Sequence, residues 1–428
     1  MQHHKYIRFA AAMIVVMVCH APCFADSRQT GTSQAIFAPS FSSLQVEVDG
    51  APLAPPVIYL NTSDRITVKF DERADDMRYM RYDIVACDSD WRPSQLIESE
   101  YIDGFNDGYV TDYTLSSLTP TNYVHYEIQL PNDEIRITHP GNYLLRVFDE
   151  DDRDIPLLQA RFYVVDPAVA IGAEVTSRTD IDTNNAHQQL IINVQTDKIK
   201  NVENYFNEFK LVAIQNGRPD NAVLLTRPSR IDGHTLVYDH SRQLIFPAGN
   251  EYRRFETVSD KYPGMGVEHV IWDDTYPHYE LYPADSRRYE PYLYDQTQYG
   301  RYTVRNDAVT DSDSQAKYCI VHFTLNEPQR IDGDYYIEGD LTGRRFSPDN
   351  RMIYNQQTQR YEASLLLKQG SYNYQYLFVP KGTQKGMTQP IEGDKYETVN
   401  QYTILVYHRG PMDRADSLIG AATVTSGI

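Results

Sequence analysis

Ser371-Tyr-Asn-Tyr-Gln-Tyr-Leu-Phe378 carries an aromatic ring at every second position. A period of two puts all four rings on one face of a strand, whereas a helix would scatter them. The pattern continues in both directions. Downstream lies Tyr402-Thr-Ile-Leu-Val-Tyr407; upstream lie Lys317-Tyr-Cys-Ile-Val-His-Phe-Thr-Leu325, Tyr335-Tyr-Ile-Glu338 and Tyr361-Glu-Ala-Ser-Leu-Leu-Leu367. Gln369-Gly370 reads as a tight hairpin between two of these strands. A second group comprises Leu190-Ile-Ile-Asn-Val194, Phe209-Lys-Leu-Val-Ala-Ile214, Thr235-Leu-Val-Tyr238 and Glu268-His-Val-Ile-Trp272. A first group runs through Leu44–Val48, Arg65–Phe70, Tyr126–Leu130, Asn142–Phe148 and Gln159–Val165, and ends at Asp166-Pro167. Helical periodicity over eleven residues is absent after the N-terminal leader. The chain is therefore expected to be all-β, with three consecutive antiparallel β-sandwich domains of immunoglobulin-like type.

The expected domain edges follow the punctuation. Residues 26–166 form an N-terminal sandwich and residues 167–316 a middle β domain. From Asp273 to Ala316 aliphatic alternation fades and Tyr, Pro, Asp and Arg crowd together, which marks the end of the middle domain. Residues 317–428 have the size of one immunoglobulin-like sandwich. A length of 428 residues agrees with three domains at about 150 each, and 41% hydrophobic with 12% aromatic residues suffices for three cores.

Lys5 and Arg8 precede the apolar run Phe9–Val18, which is too short to span a bilayer and has the form of an export signal. Cleavage after Ala25 fits the small residues at Cys23 and Ala25. Neither Cys19 nor Cys23 follows the small residue expected before a lipoprotein cysteine. Residues 1–25 are thus a signal peptide, and the expected location is outside the cytoplasm. Removing Lys5 and Arg8 with no acid changes the net charge from −19 to −21. Such a charge repels phosphate backbones and anionic lipid, so nucleic acid is excluded as partner. Only Cys87 and Cys319 remain as thiols, and two buried small side chains are favoured over a bridge.

No Gly-x-Ser-x-Gly, His-Glu-x-x-His or Gly-x-x-x-x-Gly-Lys motif occurs. Gly264-Met-Gly266 lacks a third glycine and a following helix, and reads as a turn. Asp149-Glu-Asp-Asp-Arg-Asp154 has the acid density of a calcium loop. Its sixth and twelfth positions are Asp154 and Ala160, however, so a solvated hairpin turn is favoured. Asn61-Thr-Ser63 reads as a polar turn. No catalytic residue, cofactor or metal site is assigned.

Thirty-four tyrosines make this chain rich in flat side chains with polar tips. Tyr335–Leu341 and Ser371–Phe378 are similar to strands of starch-binding sandwiches, although the platform tryptophans are missing. Core and cross-strand packing is the favoured use of these rings, and glycan binding is the alternative function.

A longer resemblance runs from Ile36-Phe-Ala-Pro-Ser-Phe-Ser-Ser-Leu44 through Pro55–Asn61, Cys87-Asp-Ser-Asp-Trp-Arg-Pro-Ser94, Glu98–Asp107 and His125–Asn132. It continues through Thr179–Asp182, His187–Gln189, Leu244–Phe255, Tyr262–Met265, Leu366–Phe378 and Asp416–Gly420. In these segments the chain resembles the plug protein of the type IX secretion system. The resemblance implies a periplasmic, non-catalytic β protein, monomeric when free. Its implied partner is the giant outer-membrane β-barrel translocon subunit, whose pore it closes when no cargo is engaged. The stretch from Tyr276 to Arg305 combines interface-favoured residue types with weak strand patterning. Its docking candidates are Tyr276, Tyr279, Arg287, Arg288, Tyr289, Tyr292, Tyr294, Arg301 and Arg305.

Overall fold

The computed structural model describes residues 32–273 and 275–427. The expected signal peptide, residues 1–25, lies outside the described residues. Antiparallel sheets dominate, and the two α-helices among the described residues, Glu98–Tyr101 and Ser312–Gln315, have four residues each. Each strand expected from alternation is present.

The first sandwich opposes two sheets. One orders Ala35–Ile36, Leu158–Val165, Gly141–Asp149, Met80–Cys87 and Gly108–Tyr109; the other orders Phe41–Val48, Ile66–Glu72, Val124–Leu130 and Asp112–Leu115. Alternate residues from both faces meet in one core, where Tyr143, Leu145 and Phe162 meet Val68, Phe70 and Tyr126. Asp149 to Asp154 lies in the loop joining Gly141–Asp149 to Leu158–Val165, as expected of a hairpin turn.

The second sandwich departs from the expected edges. Its outer sheet holds Ala170–Thr176, His187–Gln195, Thr235–Tyr238 and Arg230–Asp232. Its inner sheet orders Val223–Leu225, Phe209–Gln215, Gln401–His408 and Ser417–Thr425. Residues 401–425 thus pair with the second group of strands and not with their sequence neighbours. The reason is burial on two faces. Leu211, Ala213, Ile404 and Val406 point into the second core. Val212, Leu405 and Tyr407 point the other way, against Val165 and Tyr163 of the first sandwich. A sheet covered on both sides needs continuous apolar strands, and Gln401–His408 supplies one to the open edge of Phe209–Gln215.

The third sandwich is inserted between Ile245–Pro247 and Gln401–His408. One sheet is centred on Gly370–Pro380, which pairs with Arg253–Glu256, Tyr302–Val304 and Gly333–Glu338. The other orders Val267–Trp272, Pro277–Leu281, Tyr318–Asn326, Arg360–Lys368 and Ile353–Asn355. The edge expected at residues 316 and 317 therefore falls inside this sandwich. Gln369-Gly370 is likewise not a hairpin: Arg360–Lys368 and Gly370–Pro380 belong to opposite sheets, and the pair is the corner between them. Gln369 is buried and bonded to Asn306, Lys317 and Tyr279. At Gly370 a Cβ would run into the Thr303 carbonyl, so the corner requires glycine.

Candidate docking surface and the contacts that hold it

Pro277–Leu281 pairs in parallel with Tyr318–Asn326. Parallel neighbours need a long crossover, and residues 282–317 provide it. This topology explains the loss of alternation after Asp273. Between Ala284–Asp285 and Tyr302–Val304 the chain forms no strand and runs as an irregular strap.

Ion pairs and hydrogen bonds pin the strap in place of a sheet ladder. Glu392 is fully buried and accepts from Arg253 Nε at 3.0 Å and Arg287 Nη2 at 2.6 Å. Burial pushes its carboxyl up, but the two guanidiniums outweigh burial and hold it at about 2. Arg254 grips Asp295 through two bonds of 2.9 and 2.7 Å. Tyr292 Oη donates to Glu251 Oε1 at 2.7 Å; burial, then that carboxylate, push the phenol up.

These pins consume several of the docking candidates. Tyr279 is buried in the third core and donates to Ser259 O. Arg301 is only 8% exposed and donates to Gln401 Oε1. Both are corrected from surface to interior: Tyr279 sits at an inward position of Pro277–Leu281, and Arg301 enters the next strand. Arg287, Arg288 and Tyr292 are half-buried in the pinning contacts, and Tyr276 is half-buried beside the strand. Arg305 is exposed but paired with Asp307. Tyr289 at 83% and Tyr294 at 59% exposure project outward. The sequence reading missed Leu293, 81% exposed, and Tyr282, 60% exposed. An aliphatic residue in a stretch without alternation was the available signal for Leu293.

A buried polar node joins the first and third sandwiches. Asp71 accepts from Lys368 Nζ at 2.6 Å and from Tyr318 Oη at 2.7 Å. His125 Nδ1 lies 2.7 Å from its other oxygen. Burial pushes Asp71 up, yet Lys368 and His125 more than offset it and hold the carboxyl below its ordinary value. Burial pulls His125 down, but Asp71 and Glu127 outweigh it and raise the imidazole to about 9. It is therefore a cation at neutral pH. His125, Glu127 and Asp313 bring possible ligand atoms within 4.8 Å of one another. Lys69 Nζ, 3.0 Å from Asp313 and 3.8 Å from Glu127, already neutralises that cluster.

The remaining motifs resolve structurally. Gly264-Met-Gly266 is the turn between Arg253–Glu256 and Val267–Trp272, with Gly266 at φ +73°. A Ser-x-x-Lys spacing that the motif reading passed over, Ser314-Gln-Ala-Lys317, forms no nucleophile–base pair: Ser314 Oγ bonds Asp311 at 2.5 Å while Lys317 pairs with Asp260. Cys87 and Cys319 are free and buried, and burial pushes both thiols up to about 12. Tyr335, Tyr372, Tyr374 and Tyr376 lie inside the third core, where Tyr372 stacks on Phe255 at 4.9 Å and on Tyr302 at 5.0 Å. The rings that suggested a sugar platform are thus packed against other side chains.

Residues 41–166 match the family model for the type 9 secretion system plug protein 1st domain. The chain belongs to the type IX secretion system plug family. The match spans most of the first sandwich, and membership ties this plug-family chain to type IX secretion. A crystal structure of a hypothetical protein from Parabacteroides merdae is 40% identical, with a TM-score of 0.91 over 93% of this chain and 100% of that one. An alkylpurine DNA glycosylase from Pseudomonas fluorescens is 16% identical over 29% of this chain and 30% of its own, at a TM-score of 0.18. An enterococcal surface protein, partial N-terminal region, is 7% identical over 93% and 96%, at 0.21. These two scores are too low to carry an argument. No curated protein matches the chain. No helix among the described residues is long and apolar enough to cross a membrane.

Proposed function

We propose that this chain is a non-catalytic plug, monomeric when free. It docks from the periplasm on the outer-membrane translocon barrel and closes the pore when no cargo is engaged. The plug-domain match over residues 41–166 is the observation that carries this reading. The physical requirement is a body that blocks by size and does not yield. A compact chain of this length has a radius of gyration on the order of 20 Å. Buried contacts between sandwiches favour rigidity: Lys368 bonds Asp71, Arg218 Nη2 donates to Gly386 O at 3.0 Å, and Tyr407 Oη donates to Asn142 at 2.7 Å.

Docking must hold against leakage and still release. Tyr289, Leu293 and Tyr294 offer flat or apolar anchors on a strap held at both ends, with Tyr282 exposed just before it. Charges on the acidic body set orientation and on-rate more than affinity. The test is conductance of the purified barrel in a planar bilayer with the protein added to the periplasmic side. Addition is expected to lower the conductance, and the combined Tyr289→Ala, Leu293→Ala, Tyr294→Ala variant to need at least about tenfold more protein, as for lost hot-spot residues. Conductance indifferent to the protein would refute plugging. Full closure by the triple variant at wild-type concentration would refute the strap as the docking element.

A further inference from the structure

A cavity of about 760 Å³ lies where the three sandwiches meet. Trp91 and Arg161 line it from the first, Val212 and Ile214 from the second, and Arg301, Arg345 and Phe346 from the third. Its volume is in the range of small-molecule sites.

The charges around it are unevenly satisfied. The four lining carboxylates are all paired: Glu47 with Lys69, Asp90 with Arg92, Asp220 with Arg218, and Asp340 with Arg344. Arg161, Arg301 and Arg345 have no salt bridge among the described residues. Arg161 Nε donates to Thr32 O at 2.6 Å, and its guanidinium lies 4.1 Å over the Trp91 ring. Arg301, more than nine-tenths buried, makes one side-chain hydrogen bond, to the neutral amide of Gln401 at 2.8 Å. Burial pulls both guanidiniums below their ordinary value, Arg301 to about 10. Three guanidiniums without a salt bridge among the described residues thus face one cavity in a chain of net charge −19.

The cavity also has shaped apolar walls. Trp91 has φ +65°, a left-handed conformation that is costly for a large side chain and that recurs at ligand sites. Its ring is braced edge-on by Tyr163 at 5.3 Å. Phe346 is braced by Tyr336 at 5.1 Å. The Cys87–Ser94 segment, conspicuous in the sequence but unused by the docking strap, delivers Trp91 to this position.

We infer that the inter-sandwich cavity binds an organic anion of small-molecule size, its anionic groups facing Arg161, Arg301 and Arg345 and its apolar body lying between Trp91 and Phe346. Guanidiniums suit carboxylate, sulfonate and phosphate oxygens, and a concave, partly desolvated site strengthens each such contact over one in bulk water. A ligand there would touch all three sandwiches at once, so binding would stabilise their mutual arrangement.

The probe is 1-anilinonaphthalene-8-sulfonate, an aromatic monoanion, titrated by fluorescence into the protein from residue 26 onward. N-phenyl-1-naphthylamine, which lacks the sulfonate, is the neutral control. Saturable binding with one-to-one stoichiometry is expected, and Arg345→Gln should weaken it by roughly threefold and Arg161→Gln/Arg345→Gln by at least about tenfold. The neutral probe should bind at least about tenfold more weakly than the anion. Arg345 is half-buried and unpaired, so its variant is expected to fold; should the double variant unfold, Arg345→Gln and the comparison of probes decide. No saturable binding, equal affinity for the neutral probe, or unchanged affinity in Arg345→Gln would each overturn the inference.

Discussion

Two tyrosine-rich stretches of this molecule have opposite fates. In Gly370–Pro380, Tyr372, Tyr374 and Tyr376 occupy alternate positions and all are buried. In the crossover, Tyr282, Tyr289 and Tyr294 follow no period and stand in solvent. Composition is similar, so composition did not decide. A strand with partners on both edges turns every second side chain into a core, whereas a crossover without a ladder is held by scattered ion pairs and hydrogen bonds. Arg287, Tyr292 and Asp295 find partners in Glu392, Glu251 and Arg254; Tyr289, Leu293 and Tyr294 stand in solvent.

The contrast is sharpened most by truncation in the strand. Tyr374→Ala removes a ring packed on Phe255, Phe323 and Tyr376, and is expected to cost about 3–5 kcal/mol by urea denaturation. A cost under 1 kcal/mol, as for a surface site, would break the comparison.

Breaking the node between sandwiches should come next. Asp71→Asn leaves Lys368 and His125 without their shared anion and is expected to cost about 3 kcal/mol. Limited proteolysis should also find the first and third sandwiches easier to separate.

The same node predicts a pH profile. His125 is raised to about 9 in the folded chain, so its contribution is complete below its unfolded value near 6.5 and is lost as pH rises through 9. Asp71 is lowered, so its contribution is present above its unfolded value near 4 and is lost on acidification. Stability should fall by on the order of 2 kcal/mol between pH 6.5 and 9.5, and His125→Gln should flatten that limb. An unchanged alkaline limb in the variant would place the titration elsewhere.

The smallest effect is expected in the strap. Leu293→Ala should change stability by less than about 0.5 kcal/mol. A larger loss would mean that the exposed side of the strap also holds the fold.

Much of this architecture was legible because alternation is a local property. Tyr318–Asn326, Arg360–Lys368 and Gly370–Pro380 are visible as strands without knowledge of their neighbours. Pairing is not local. Nothing in Gln401–His408 says that it will lie beside Phe209–Gln215, nearly 200 residues away, and the nested third sandwich was therefore read as consecutive. Gln369-Gly370 failed for the same reason, since a hairpin and an inter-sheet corner both need a glycine between alternating runs. The docking candidates were legible as a region, because fading alternation marks a crossover. They were not legible as residues: which arginines turn inward depends on Glu392 and Gln401, contributed by distant segments. Family resemblance was carried by segments such as Cys87–Ser94, whose strained Trp91 has no counterpart in a periodicity argument.

The central claim is that the chain meets the translocon barrel through the exposed strap. Its most direct test is affinity purification of the tagged protein from gently solubilised outer membranes, with wild type and the combined Tyr289→Ala, Leu293→Ala, Tyr294→Ala variant side by side. The account predicts that one very large barrel subunit accompanies the wild type, is lost when cargo occupies the barrel, and is strongly depleted with the variant. Equal recovery with both proteins would contradict the docking surface, and absence of the barrel from both under several detergents would contradict the plug itself.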